Sequence, residues 1–226
     1  MPFLGPTANQ DYIGDPFDVG FTEYAKSVPM IVGSNFSEFV NLPPQYHRSE
    51  MSDEEMVVAL EKEFGRKVAD QVIPEFLKSF PDKKPLDLLQ YDAVTFRKGT
   101  KAFVKKRIAE GCAPTYEYLF APTIHINDGS MPQHNSDISY FYYNTDLVPS
   151  NDIGEATKEL ERNMSERLVN FARRNDPQSD GNVIWPASTA EVEKTIIFDV
   201  NTRVIDNFDD GFIEEIGNSG YYKPLF

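Results

Sequence analysis

The 226-residue chain has one cysteine, one tryptophan and three histidines. With Cys112 alone, an intrachain disulfide and a cysteine-built structural zinc cluster are both excluded. Basic residues are also scarce: 22 Lys and Arg face 36 Asp and Glu, a net charge of −14. That sign repels phosphate backbones and anionic lipid, so neither nucleic acid nor a membrane is expected as a partner. No apolar run approaches the ~20 residues a bilayer requires. The N-terminus, Met1-Pro-Phe-Leu-Gly-Pro, lacks the basic and apolar regions of a secretory signal. A cytoplasmic location is therefore expected, subject to any signal on a preceding segment. No Gly-rich phosphate loop is present. Also missing is a Gly-x-Ser-x-Gly turn of the kind that projects a nucleophilic serine. Gly217-Asn-Ser219-Gly220-Tyr221 comes nearest, lacks the last glycine in register, and is expected to be a C-terminal turn.

Apolar residues make up 40% and aromatics 13%, with 17 Phe and 11 Tyr. That is enough for a sizeable core or an aromatic-lined pocket, and it is not a disordered composition. Internal repeats, low-complexity segments and a domain boundary are not evident, so residues 1–226 read as a single unit. Residues 1–27 form an entry loop. Val28–Ser34 is mostly apolar, as in a buried parallel strand, and Pro43 and Pro44 close that unit. Ser52 with Glu55 makes a capping box for a helix carrying Met56, Val57, Leu60 and Phe64. Gly65 interrupts it, and a second helix carries Val68, Val72, Phe76 and Leu77, with a bend expected at Pro74. Leu86 to Gly111 reads as one more helix, its basic end Lys105-Lys106-Arg107 matching the helix dipole. Thr115–Ala121 alternates Tyr116, Tyr118 and Phe120 between prolines and reads as a strand. Asn135–Thr145 and Gly154–Arg174 read as helices, the latter with Leu160, Met164, Leu168 and Phe171 on one face. A turn follows at 175–181, and Thr195–Val200 reads as the final strand.

Chemistry concentrates on two strand ends. The run Val28-Pro-Met-Ile-Val-Gly33-Ser-Asn-Phe-Ser-Glu38 ends in an acid, and the loop after Thr115–Ala121 carries His134. Acid after one strand and histidine after the next is the order of an α/β-hydrolase triad, in which the serine precedes both. Only 37 residues precede Glu38, and none forms a nucleophile turn. His47 and His125 lack this context. The histidines are not at metal-ligand spacing, so no metal and no cofactor is expected. Cys112 lies just before a strand, the wrong place for a nucleophile elbow, and reads as a small buried hydrophobe.

Five segments in order resemble the type-B carboxylesterase family of cholinesterases and para-nitrobenzyl esterases. Pro29-Met-Ile-Val-Gly33 with Glu38 is similar to its strand and acid. Tyr91-Asp92 with Phe96 resembles a Thr-Asp-x-x-Phe helix start. Tyr116-Glu-Tyr-Leu-Phe120 resembles its Tyr-x-Tyr-x-Phe strand. His134, Asp137 and Tyr140-Phe141 resemble the surroundings of its catalytic histidine. Phe171-Ala-Arg173, Asp176-Pro177 and Trp185-Pro186 resemble its Phe-Ala-x-x-Gly-x-Pro and Trp-Pro signatures.

The resemblance implies the C-terminal half of an α/β-hydrolase fold, part of the central sheet with flanking helices. It implies a single partial domain, without the N-terminal half that bears the nucleophile. The function implied is carboxylic ester hydrolysis by a Ser-His-Glu triad, with Glu38 orienting the imidazole, His134 as general acid/base, and the serine from elsewhere. Asp137 would be a buried structural acid. A small-molecule ester is the expected substrate. The missing half, or a second copy, is the expected partner over an exposed sheet edge. Whether the chain acts as an enzyme alone is left open by the absent serine. The competing reading is a non-catalytic, cholinesterase-like interaction module. Three positions depart from the family pattern: Phe39 for the Gly after the acid, Asn175 for the Gly before Asp176-Pro177, and Gly129-Ser-Met-Pro-Gln before His134.

Overall fold

The computed structural model describes residues 6–126 and 129–219. Two short helices come first, α1 (Pro16–Val19), capped by the Asp15 side chain, and α2 (Glu23–Ser27), capped by Thr22. The first apolar run then forms β1 (Met30–Asn35). β1 pairs in parallel with β2 (Thr115–Phe120), from Met30 opposite Thr115 to Asn35 opposite Phe120. β2 pairs in parallel with β3 (Lys194–Phe198), and β3 antiparallel with β4 (Arg203–Asp206). The sheet order is β1-β2-β3-β4, which leaves β1 at an edge. The expectation that 28–34 is a buried strand is corrected here. Met30–Gly33 are only half-buried, because no described strand covers the outer side of β1.

Between β1 and β2 the chain is helical. α3 (Asp53–Phe64) opens with the Ser52–Glu55 capping box, each side chain bonding the other's backbone N–H. Gly65, at φ +78°, separates it from α4 (Arg66–Ser79). Pro74 lies inside α4, which continues past it. The single helix expected over 86–111 is broken into a 3₁₀ segment (Pro85–Gln90), a π-helical turn (Ala93–Arg97) and α5 (Lys98–Ala109). The break has a local cause. Asp92 donates its N–H to Phe36 O (2.9 Å) and caps the following turn by accepting from Thr95 N–H (3.1 Å). The chain there is tied to the end of β1 rather than to a continuous helix. The basic end of α5 is more than a dipole match. Arg107 is fully buried and donates to Thr115 Oγ1 (2.9 Å) and Val28 O (2.7 Å), clamping the starts of β1 and β2.

Beyond β2, the helix expected over 135–145 shrinks to α6 (Ile138–Phe141), bracketed by left-handed Asn135 (φ +69°) and Tyr143 (φ +56°). A 3₁₀ turn at Gly154–Ala156 leads into α7 (Thr157–Arg174). β3 is not the last element: β4 and α8 (Asp210–Ser219) follow it. Gly217 and Ser219 therefore lie in a helix, not a turn, and Gly220 and Tyr221 lie outside the described residues.

Side-chain alternation on the strands separates two apolar layers. Leu119 and Ile197 face α3, α4 and α8, packing with Phe36, Phe76, Phe80 and Phe212. Tyr116, Phe120, Ile196 and Phe198 face α6 and α7, packing with Trp185, Leu160 and Met164. The first face also holds a buried ionic cluster. Arg97 pairs with Glu117 and forks onto Asp209 (3.0 Å through Nε and Nη2), and Lys101 pairs with Glu193 and Asp209. Among the described residues, no helix is long and apolar enough to cross a membrane.

Candidate active site

β1 and β2 run parallel, so their C-terminal ends emerge side by side, and the loops that follow are tied together. Ser37 N–H donates to Pro132 O (3.0 Å) and His134 N–H to Glu38 O (2.8 Å), with Glu38 and Gln133 forming an isolated parallel bridge. Ser37 Oγ adds a bond to Pro132 O (2.8 Å). A tight turn, Val40 N–H to Ser37 O at 2.6 Å, holds Glu38 at φ +43°. A non-glycine residue is strained there, and such strain persists only where its surroundings over-determine it. The flanking bonds to the His134 loop do this.

The result brings Glu38 and His134 together, 96 residues apart in the chain. His134 Nδ1 lies 2.7 Å from Glu38 Oε2. The other carboxylate oxygen, Oε1, accepts Asn35 N–H at 2.7 Å. Glu38 is 4% exposed while the His134 side chain is 41% exposed. The acid is fixed and desolvated, and the imidazole reaches the surface. With Nδ1 committed to the carboxylate, proton exchange with a bound group falls to Nε2.

Asp137 is not part of the pair. It accepts from Asn35 Nδ2 (3.2 Å) and from Tyr118 Oη (2.6 Å). Burial, with the Asp137 charge adding, holds the Tyr118 phenol well above its ordinary value, so it stays a donor. His47 is exposed and makes no part of the site. His125 lies apart, 4.0 Å from Asp152. Cys112 is half-buried at the end of α5, away from the pair. Among the described residues, no group of three or more His, Cys, Asp and Glu side chains is placed to hold a metal ion.

Asn35 carries no motif in the sequence, and Asp92, Phe39 and Phe96, named there only for the family pattern, also border the pair. Asn35, buried at the end of β1, uses its backbone for Glu38 and its side chain for Asp137. Asp92 sits close enough that Glu38 adds to the upward push of burial on its carboxyl, against the N–H groups of Thr95 and Phe96. Its Oδ2, with Ser34 Oγ and Asn35 Oδ1, is buried without a hydrogen-bond partner among the described residues. Phe39 stacks on the His134 ring, centroids 4.4 Å apart and planes 30° apart, and Phe96 lies 6.0 Å from the same ring. A polar residue at a strand end was the available signal for Asn35. No sequence pattern places Phe39 over a histidine 95 positions away.

A buried carboxylate thus meets an imidazole, the two offered from the ends of two parallel strands. The profile of the carboxylesterase family matches residues 2–213. The chain belongs to the carboxylesterase family. Among solved structures, it is similar to an esterase from Clostridium hathewayi described as able to hydrolyse aliphatic aromatic polyesters. The identity is 35% and the TM-score 0.88, over 95% of this chain and 42% of that one. A PNB esterase shares the fold at 18% identity and TM-score 0.57, over 83% of this chain and 38% of that one. A carboxylesterase from Geobacillus stearothermophilus does so at 19% and 0.54, over 85% and 40%. No curated protein matches. This carboxylesterase-family chain thus spans about two fifths of the length of the structures it matches, and its sheet is part of an α/β-hydrolase fold.

Proposed function

We propose that the chain contributes the acid and the histidine of a carboxylic ester hydrolase, with the serine nucleophile on a segment outside these 226 residues. The observation that carries this reading is the 2.7 Å contact between buried Glu38 and partly exposed His134. In the assembled triad, His134 Nε2 takes the serine proton as the hydroxyl attacks the ester carbonyl, and returns it to the departing alcohol. Glu38 holds the imidazole in the tautomer that leaves Nε2 free to accept, and stabilises the imidazolium once it forms. Asn35 N–H holds Glu38 in turn.

The serine-bearing segment is also the partner that suits the open side of the sheet. β1 is an edge strand, and an open apolar cavity of about 940 Å³ lies along it, lined by Met30–Gly33, Phe96, Phe103, Tyr118 and Phe141. Such an edge offers unpaired backbone groups to a further strand. For the substrate, we propose an ester carrying an aryl group. The relative from Clostridium hathewayi is described as acting on aliphatic aromatic polyesters, and Phe39 and Phe96 flank the imidazole here.

The test has two stages. A fluorophosphonate probe is incubated with the chain and the intact mass is read; no adduct is expected. The chain is then co-expressed with upstream esterase segments carrying a Gly-x-Ser-x-Gly turn, and hydrolysis of aryl and alkyl esters is compared. His134→Ala should lower the recovered kcat by roughly 10³-fold or more. An adduct on a serine of the chain alone, or hydrolysis indifferent to His134, would overturn the reading. The second of these outcomes would favour the interaction module.

A further inference from the structure

We infer that Phe39 is a positioning residue for His134. Its stacked ring sets the plane of the imidazole and shields the Nδ1–Glu38 bond. The inference rests on the reading of Glu38 and His134 as a catalytic pair and extends it to a residue outside the triad.

The backbone aims Phe39. Glu38 is held at φ +43° by the Ser37–Val40 turn and by its carbonyl bond to His134 N–H. The residue that follows is therefore turned back over the neighbouring loop, where its ring meets the imidazole at 4.4 Å and 30°. Phe96 supports the arrangement from the side, 5.6 Å from Phe39 and 6.0 Å from His134. Phe39 is 50% exposed. A half-exposed phenyl contributes little to a core, so its value at this position lies in the face it covers.

One hydrogen bond does not orient an imidazole. The Nδ1–Oε2 contact fixes a line through one ring atom, and the ring can still tilt about that line. Tilting swings Nε2, the atom that must meet a serine hydroxyl. A flat ring packed against one face removes that freedom. Offset stacking of aromatic rings has the geometry to do so, and a branched aliphatic side chain does not. The same cover keeps water from that face of the Nδ1–Oε2 bond, which strengthens the bond in a locally less polar setting. Where the family pattern has a glycine after the acid, neither effect is available from this position.

The experiment uses the 226-residue chain with ¹⁵N-labelled histidine, so it needs no activity. The His134 Nδ1–H resonance and its exchange with water are measured by NMR for the native chain and for Phe39→Ala, Phe39→Leu, Phe39→Tyr and Glu38→Ala. Exchange should rise about tenfold in Phe39→Ala, the factor expected from losing one aromatic contact. It should rise nearly as far in Phe39→Leu and stay native in Phe39→Tyr. Native exchange in Phe39→Ala overturns the inference, and so does full protection in Phe39→Leu, which would show that bulk suffices. Glu38→Ala separates the two levels of argument. If it abolishes the protected signal while Phe39→Ala does not, only the positioning role fails. If the protected signal survives it, the pair itself is refuted. In the reconstituted esterase, Phe39→Ala should lower kcat with KM little changed, and Phe39→Tyr should restore it.

Discussion

Replacing Gly33 by alanine tests the link between the sheet and the Glu38–His134 pair. Gly33 faces Tyr118 across the β1–β2 ladder. A Cβ at Gly33 would fall below 3.0 Å from three atoms of the Tyr118 ring, where ordinary contact begins at 3.4 Å. The ring must therefore retreat by roughly 1 Å, in a region packed to crystal-like density. It has little room: Phe141 lies 5.2 Å away, Phe198 5.9 Å and Trp185 6.5 Å, centroid to centroid. Its hydroxyl donates to Asp137 at 2.6 Å, a bond the shift would break. Overpacking costs about 1–3 kcal/mol and a buried bond to a charged acceptor about 1.5–3 kcal/mol, so Gly33→Ala should destabilise the chain by about 2.5–6 kcal/mol. Trp185 is the only tryptophan and is fully buried, so its fluorescence reports urea unfolding directly. The mechanism makes a second demand. In a Tyr118→Ala background, the same substitution should cost less than about 0.5 kcal/mol, because the obstructing ring is gone. A cost below about 1 kcal/mol in the native background, or an undiminished cost in the double variant, would refute this reasoning. The effect should also reach the pair. Asp137 would keep only Asn35, and Asn35 N–H is what holds Glu38 Oε1.

The buried ionic cluster predicts an asymmetry. Arg97→Met leaves Glu117 and Asp209 as buried carboxylates without their main counter-charge and should cost about 3–5 kcal/mol, whereas Glu117→Gln should cost about 1 kcal/mol; chemical denaturation of the two variants checks this. A pH dependence follows from the same residue. Burial pushes the Glu117 carboxyl up, with Glu193 adding to the push and Arg97 opposing it. A raised folded value means that its stabilising contribution is full below the unfolded value of about 4.3 and is lost as pH rises through the folded value. The stability of the native chain relative to Glu117→Gln should therefore fall across that window, and a pH series of urea midpoints that rises instead would refute it. Asn175 ends α7 at φ +60°, its N–H on Phe171 O (2.8 Å). Asn175→Gly should stabilise the chain by a few tenths of a kcal/mol and Asn175→Val should destabilise it by more than about 1 kcal/mol, both read from thermal midpoints.

Much of the frame was legible because local chemistry decides it. The Ser52–Glu55 box, the Gly65 break and the Tyr116-x-Tyr118-x-Phe120 alternation each carry their own instruction, and each appears where the sequence put it. The errors fall where distant partners overrule a local pattern. The helical periodicity of 86–111 lost to the bond from Asp92 to Phe36 O, made across more than fifty residues. The helix expected over Asn135–Thr145 is confined by two left-handed residues to one turn. β4 is too short to announce itself and exists because β3 offers it a ladder. Arg107 reads as a helix end matched to the dipole and is also a buried clamp, since only the tertiary fold brings Val28 and Thr115 within its reach.

From the sequence alone came the family resemblance, the order of acid and histidine, and the absence of a serine turn. These depend on residue types and their order, which the chain carries whatever its shape. Only the tertiary structure decided that Glu38 is buried and bonded to His134, that Asp137 belongs to Asn35 and Tyr118, and that Phe39 covers the imidazole. Those facts depend on the parallel register of β1 and β2, which carries two loops 96 residues apart to the same end of the sheet. Register is a property of paired backbones, so no reading of either segment by itself contains it.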